Sequence, residues 1–213
     1  MKTNKHNMKN LNEYINENTY IHEKLTIVHK SYNCVPQTKY ELREIIEDRL
    51  TDDPNADLND IDVSNITNMS RLFDGLDPHN IDISQWDVSN VQNMQNMFWN
   101  CINFNSDLKY WDVSKVENMR AMFGFCENFN ADISNWDVSN VTDMSYMFDD
   151  CETFNSDISR WDVSNVRDMT LMFYACKKFT FDLSEWDVSN VRYMRSMFAG
   201  CNSIKKIPEL HKK

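Results

Sequence analysis

Glycine and proline are scarce in this 213-residue chain, with three of the first and four of the second. The glycine clusters of dinucleotide-binding fingerprints and phosphate-cradling loops are therefore absent. Long apolar runs are missing as well: no stretch of about 18 apolar residues occurs, so no membrane insertion is expected. Positive charge is in deficit, 22 Lys+Arg against 33 Asp+Glu for a formal net charge of −11. Nucleic-acid binding, which needs a basic face to displace counterions, is not expected. The opening residues Met1 to Asn10 carry charge with no apolar segment behind them. With a native start this predicts a cytoplasmic protein; removal of a signal peptide would place it at the cell surface or outside. Hydrophobic residues at 41% and aromatics at 12% still supply a core and argue against disorder.

What is present is a repeat. Trp86, Trp111, Trp136, Trp161 and Trp186 recur every 25 residues, with Ile61 in the same place one repeat earlier. The unit reads W-D-V-S-N-V-x-x-M-x-x-M-F-x-x-C-x-x-F-N-x-D-I-S-x, and six copies run from about Asp57 to Asn202. Eleven of the 13 Met fall in two columns, Met69 through Met194 and Met97 through Met197. No single copy carries enough apolar surface to fold alone, so neighbours must bury one another, as in a solenoid.

Within a copy, Ile133, Trp136 and Val138 include a period-2 alternation that suits a short strand. Val141, Met144, Met147, Phe148 and Cys151 then recur at three to four, the spacing of a short helix, with Ser139 and Asn140 as caps and Asp143 in its first turn. The expected fold class is an α/β repeat, a solenoid of about six strand–turn–short-helix rungs with an N-terminal capping helix. That helix opens with the capping box Thr38-Lys-Tyr-Glu41, carries the stripe Leu42, Ile45, Ile46 and Arg49, and stops at Asp52-Asp53-Pro54. The chain thus divides into four segments: a polar N-terminal stretch 1–35, the capping helix and turn 36–56, the array 57–202, and a C-terminal cap strand with basic tail 203–213 in which Ile204, Ile207 and Leu210 would close the stack. Leu25 to Val28 is a candidate edge strand.

The segment Asp57 to Phe73, followed by five W-D-V-S-[NK]-V-x-x-M-x-x-M-F copies, resembles the 25-residue repeat of the BspA-like leucine-rich repeat surface proteins. The Tyr40-to-Ile46 leader resembles the segment that introduces such arrays. The resemblance implies a right-handed leucine-rich-repeat solenoid of the lipoprotein-associated type and an adhesion-like role.

Several columns could carry chemistry. Cys101, Cys126, Cys151, Cys176 and Cys201 could bind a soft metal or pair, yet the spacing lacks C-x₂₋₄-C, and a buried small hydrophobe is the simpler reading. Two Asp columns, Asp62 through Asp187 and Asp57 through Asp182, would repel along the stack unless each carboxylate accepts backbone N–H bonds in its own turn. A calcium ladder is the competing reading. Asn105, Asn130 and Asn155, with Asn80 before and Thr180 after, suggest a ladder of side-chain bonds between copies. The Trp column reads as core. His6, His22, His29, His79 and His211 all lie outside the regular positions, so no catalytic constellation can be assembled; the chain is expected to be neither an enzyme nor a cofactor or metal protein.

Just before each Trp the residue changes from copy to copy: Gln85, Tyr110, Asn135, Arg160 and Glu185. On a strand this column would share the outer sheet face with the Asp that follows Trp. A second set, Trp99, Phe125, Tyr146, Tyr174 and Tyr193, supplies aromatics on the expected helical side. The resulting expectation is a non-enzymatic protein-binding module that uses these ten residues. A self-associating structural component and a carbohydrate-binding surface protein are the alternatives.

Overall fold

In the computed structural model, residues 33–79 and 81–204 are described. The chain divides into two units, Met1–Asn33 and Cys34–Lys213, and the capping helix and the repeats belong to the second. The candidate edge strand Leu25 to Val28, the column residue Asn80, and the expected C-terminal cap from residue 205 onward, with Ile207, Leu210 and the basic tail, lie outside the described residues.

The capping helix forms where its sequence signals place it. Helix α1 spans Lys39–Asp52 with Thr38 as N-cap in extended conformation. The Thr38 hydroxyl accepts the Glu41 N–H at 3.2 Å, and the Glu41 carboxylate accepts the Gln37 N–H at 2.8 Å. The first bond satisfies one of the orphan donors at the helix start, and the second ties the residue before the cap to the first turn. The chain leaves the helix at Asp53, just before Pro54, and Leu42 and Ile46 are fully buried.

The expected fold class, an α/β solenoid of strand–turn–short-helix rungs, is overturned. Among the described residues α1 is the single helix and there is no strand. The repeats are built from turns, joined by isolated parallel bridges at Asn68↔Asn93, Asn93↔Asn118, Asn118↔Asp143, Asp143↔Asp168 and Asp168↔Tyr193. Where the spacing predicts a helix, Met147, Asp149 and Cys151 donate to the carbonyls three residues back, at Met144, Tyr146 and Phe148. A helix needs the fourth. Tyr146 and Asp150 interrupt any helical course with φ of 61° and 55°, and the same two places are left-handed in the other copies. Consecutive three-residue turns produce the same apolar spacing of three to four as a helix, so periodicity alone does not separate the two. The expected strand fails for a related reason: Trp136 N–H closes a turn on Ile133 at 3.2 Å and Val141 on Val138 at 2.9 Å, so the alternation runs through two turns.

The intervening N–H groups hold the copies together. Met144, Tyr146, Phe148 and Asp150 donate to Asp168, Thr170, Met172 and Tyr174 of the following copy at 2.8–2.9 Å. All of these donors point the same way along the array, so the first copy is left with carbonyls that no preceding copy can serve. Helix α1 serves them instead. Lys39 Nζ donates to the Ser70 carbonyl, and the Arg43 guanidinium to the carbonyls of Arg71, Leu72 and Asp74 at 2.7–3.2 Å.

Inside, the apolar columns stack on themselves. Phe73, Phe98, Phe123, Phe148, Phe173 and Phe198 lie in one file with centroids 5.1–5.8 Å apart. Phe104, Phe129, Phe154 and Phe179 form a second at 5.7–6.1 Å. The Met columns fill the space beside them and are fully buried in the central copies.

Candidate interaction surface

Uniform columns prove to be scaffold. Every Trp of the repeated column, Trp86 through Trp186, is buried, and each Nε1–H donates into the preceding copy, to Leu58, Ile83, Leu108, Ile133 and Ile158 at 2.9–3.2 Å. The Cys column behaves alike: all are free thiols, and each Sγ donates to a Phe carbonyl of the preceding copy, Phe73 through Phe173. Burial pushes the thiols of Cys101, Cys126, Cys151 and Cys176 well up, so they stay protonated donors. Trp and Cys are the apolar side chains that carry a hydrogen to give, and both columns use it on carbonyls inside the core.

Both Asp columns hold their turns as the sequence suggests. In all twelve, Oδ1 accepts the N–H two residues on at 2.9–3.1 Å. The serine hydroxyl and N–H two residues on hold Asp112, Asp132 and Asp162 below the usual carboxylate range. The structure adds a third column of this kind that sequence reasoning misses: Asn68, Asn93, Asn118, Asp143 and Asp168. Asp143 therefore caps a turn, not the expected helix start. The available signal is an Asn or Asp before Met at every repeat, ending at Tyr193. The Asn ladder forms as expected: Asn130, Asn155 and Thr180 N–H groups donate to Oδ1 of Asn105, Asn130 and Asn155 at 2.7–3.0 Å. Asn90, Asn140, Asn165 and Asn190 add a second ladder, each Nδ2 donating to the serine carbonyl of the preceding copy.

The variable column sits on these turns. Gln85, Tyr110, Asn135, Arg160 and Glu185 are all exposed, Tyr110 to 80%. They occupy the third position of the turns closed by Trp86, Trp111, Trp136, Trp161 and Trp186. The column is thus a line of turn tips, not a sheet face, held by the Asp bond on one side and the buried Trp on the other. Beside it, Lys109 pairs with Asp132 of the next copy at 3.1 Å.

The aromatic set is more dispersed. Trp99 and Tyr174 share one column position, while Phe125, Tyr146 and Tyr193 occupy three others. Trp99 packs over Gly124, where an added Cβ would fall 2.5 Å from its ring, and meets Phe125 edge-on at 4.7 Å. Arg120 covers the ring of half-buried Tyr146 at 4.8 Å. Tyr174 and Tyr193 are exposed, Tyr193 to 62%. The structure does not bring these five into one platform.

One buried carboxylate stands apart. Asp149 is 7% exposed, its Oδ1 has no hydrogen-bond partner among the described residues, and burial with the neighbouring Asp150 charge raises its pKa to about 6. Among the described residues no helix is long and apolar enough to cross a membrane.

No curated protein and no solved structure matches the chain. A family model described as "Mycoplasma protein of unknown function, DUF285" matches it twice, over residues 41–131 and 108–210. The two overlapping matches run from α1 through the whole array, as expected where one pattern is copied. The chain is a repeat protein and belongs to the DUF285 family.

Proposed function

We propose that this protein is a non-enzymatic protein-binding module whose recognition surface is the line of turn tips Gln85, Tyr110, Asn135, Arg160 and Glu185. One observation carries the reading: five exposed residues of different chemistry occupy equivalent turn positions, while the Asp and Trp that hold each turn are constant and committed to the fold. A scaffold that fixes one position and varies its side chain presents an extended, specific surface at little cost in ordering. Tyr110 and Arg160 are of the residue types that dominate binding energy. The motif's resemblance to BspA-like surface repeats supports the same adhesion-like reading.

Affinity capture from the native cell tests it, with wild-type protein and the Tyr110→Ala/Arg160→Ala double variant as parallel baits. The expected result is a protein retained by the first and depleted with the second. Equal retention by both would remove the turn tips as the binding face. Light scattering across a concentration series addresses self-association: a mass that rises with concentration would favour the structural alternative.

A further inference from the structure

At its far end the array leaves an edge unserved among the described residues. In each inner copy four alternate N–H groups donate to the next copy, as Met119, Ala121, Phe123 and Phe125 do to Asp143, Ser145, Met147 and Asp149. Their counterparts in the last copy are Met194, Ser196, Phe198 and Gly200, and these N–H groups find no acceptor among the described residues. The opposite end has the complementary problem, unserved carbonyls, and solves it with Lys39 and Arg43. That asymmetry limits what can cover the open edge. A second copy is poorly matched head-to-tail, because three of the four carbonyls in its row, Ser70, Leu72 and Asp74, already accept from its own α1. Two open edges cannot pair either, since donors would face donors. What fits is an extended backbone that offers a carbonyl at every second residue.

Charge narrows the occupant further. Arg167, Arg192 and Arg195 lie at this end of an otherwise acidic array, all exposed, and none forms a salt bridge among the described residues. Arg167 and Arg192 line one shallow recess of about 300 Å³ with Asn165 and Asn190. Half-buried Met194 and Phe198 supply apolar contact behind the donor row. We infer that the C-terminal edge of the array is a strand-addition site for an extended acidic peptide segment of a partner protein, held by the N–H groups of Met194, Ser196, Phe198 and Gly200 and steered by the three arginines. This site is separate from the turn tips, so either can fail without the other.

Residue-resolved amide exchange on the full chain tests it, with a capped peptide of alternating Glu and Val as probe. Without peptide the four amides should exchange far faster than those of Met119 and Phe123. With it they should slow by about tenfold or more. The Arg192→Glu/Arg195→Glu variant, with an unchanged melting temperature, should bind the peptide about tenfold more weakly, and an alternating Lys and Val peptide should not protect the edge. Three results would overturn the inference. The first is no protection by the acidic peptide. The second is slow exchange of the four amides in the free chain at every concentration, which would mean that the chain covers its own edge. The third is protection that grows with protein concentration alone, which would mean that a second copy does.

Discussion

Asp149 shows how far one residue can depart from its column. Of its equivalents, Trp99, Gly124, Tyr174 and Ala199 carry no charge and Asp74 of the first copy pairs with Arg71, whereas Asp149 is buried, has an unpartnered oxygen among the described residues and lies beside Asp150. Its folded pKa of about 6 lies above the unfolded value of about 3.9. The folded state therefore holds the proton more tightly, and stability falls as pH rises through 6. Between pH 5 and pH 7 the loss should be about 1 kcal/mol, and Asp149→Ala should stabilise the protein at pH 7 by roughly 1–2 kcal/mol. Urea titrations of both forms at the two pH values check this. The left-handed positions carry a second prediction. Ala175 sits at φ 55°, in the column where Gly75 and Gly200 adopt 79° and 82°. Ala175→Gly should raise stability by about 0.5–1 kcal/mol, against the usual penalty for glycine, as read from the denaturation midpoint. Trp136→Phe should cost about 1–3 kcal/mol, because area is lost and the Leu108 carbonyl loses its indole donor. At this scale much is legible in the sequence. The Asp turns, the Asn ladder and the buried Trp and Cys follow from residue type and spacing. The left-handed column of Gly75, Asn100, Asp150 and Gly200 leaves a partial signature of types that tolerate positive φ. The other, Arg71, Asn96, Ala121, Tyr146, Leu171 and Ser196, shares no residue type and leaves none.

Among the elements, α1 is readable from its capping box and its Pro54 boundary, since both are local chemistry. Its work is not, because backbone carbonyls leave no mark in a sequence. Arg43 serves three of them and Lys39 a fourth. Arg43→Met keeps the length and apolar stem but leaves those carbonyls without a donor, and should cost about 1–3 kcal/mol. Thermal melting checks the value, with Glu44→Gln as a control: Glu44 is exposed on the helix surface. The elements within the repeat escape the sequence for a different reason. Apolar spacing records which residues face inward, and a coil of three-residue turns faces the same residues inward as a strand followed by a helix. The difference lies in where each N–H goes, to the fourth residue back or across to the next copy.

For the whole molecule, the acidic excess belongs to the array, where the two Asp columns are structural requirements of the turns. Asp112, Asp132 and Asp162 have depressed pKa values, so their contribution is present at neutral pH and lost as pH falls through the carboxylate range. Together with the opposite slope from Asp149, this predicts maximum stability between the ordinary carboxylate range near 4 and Asp149's value of about 6. A stability profile across roughly pH 3–8 should show that maximum, and its high-pH decline should shrink in Asp149→Ala, with burial of Asp150 beside Glu152 supplying the remainder. The proposed function divides along the same line as structure: constant columns hold the fold, and recognition is assigned to the variable turn tips. The most direct test is partner affinity measured beside melting temperature for the Tyr110→Ala/Arg160→Ala variant. The account predicts a loss of about tenfold or more in affinity, some 1.4 kcal/mol, with the melting temperature unmoved. Unchanged affinity, or a fall in melting temperature that matches the loss of binding, would contradict it.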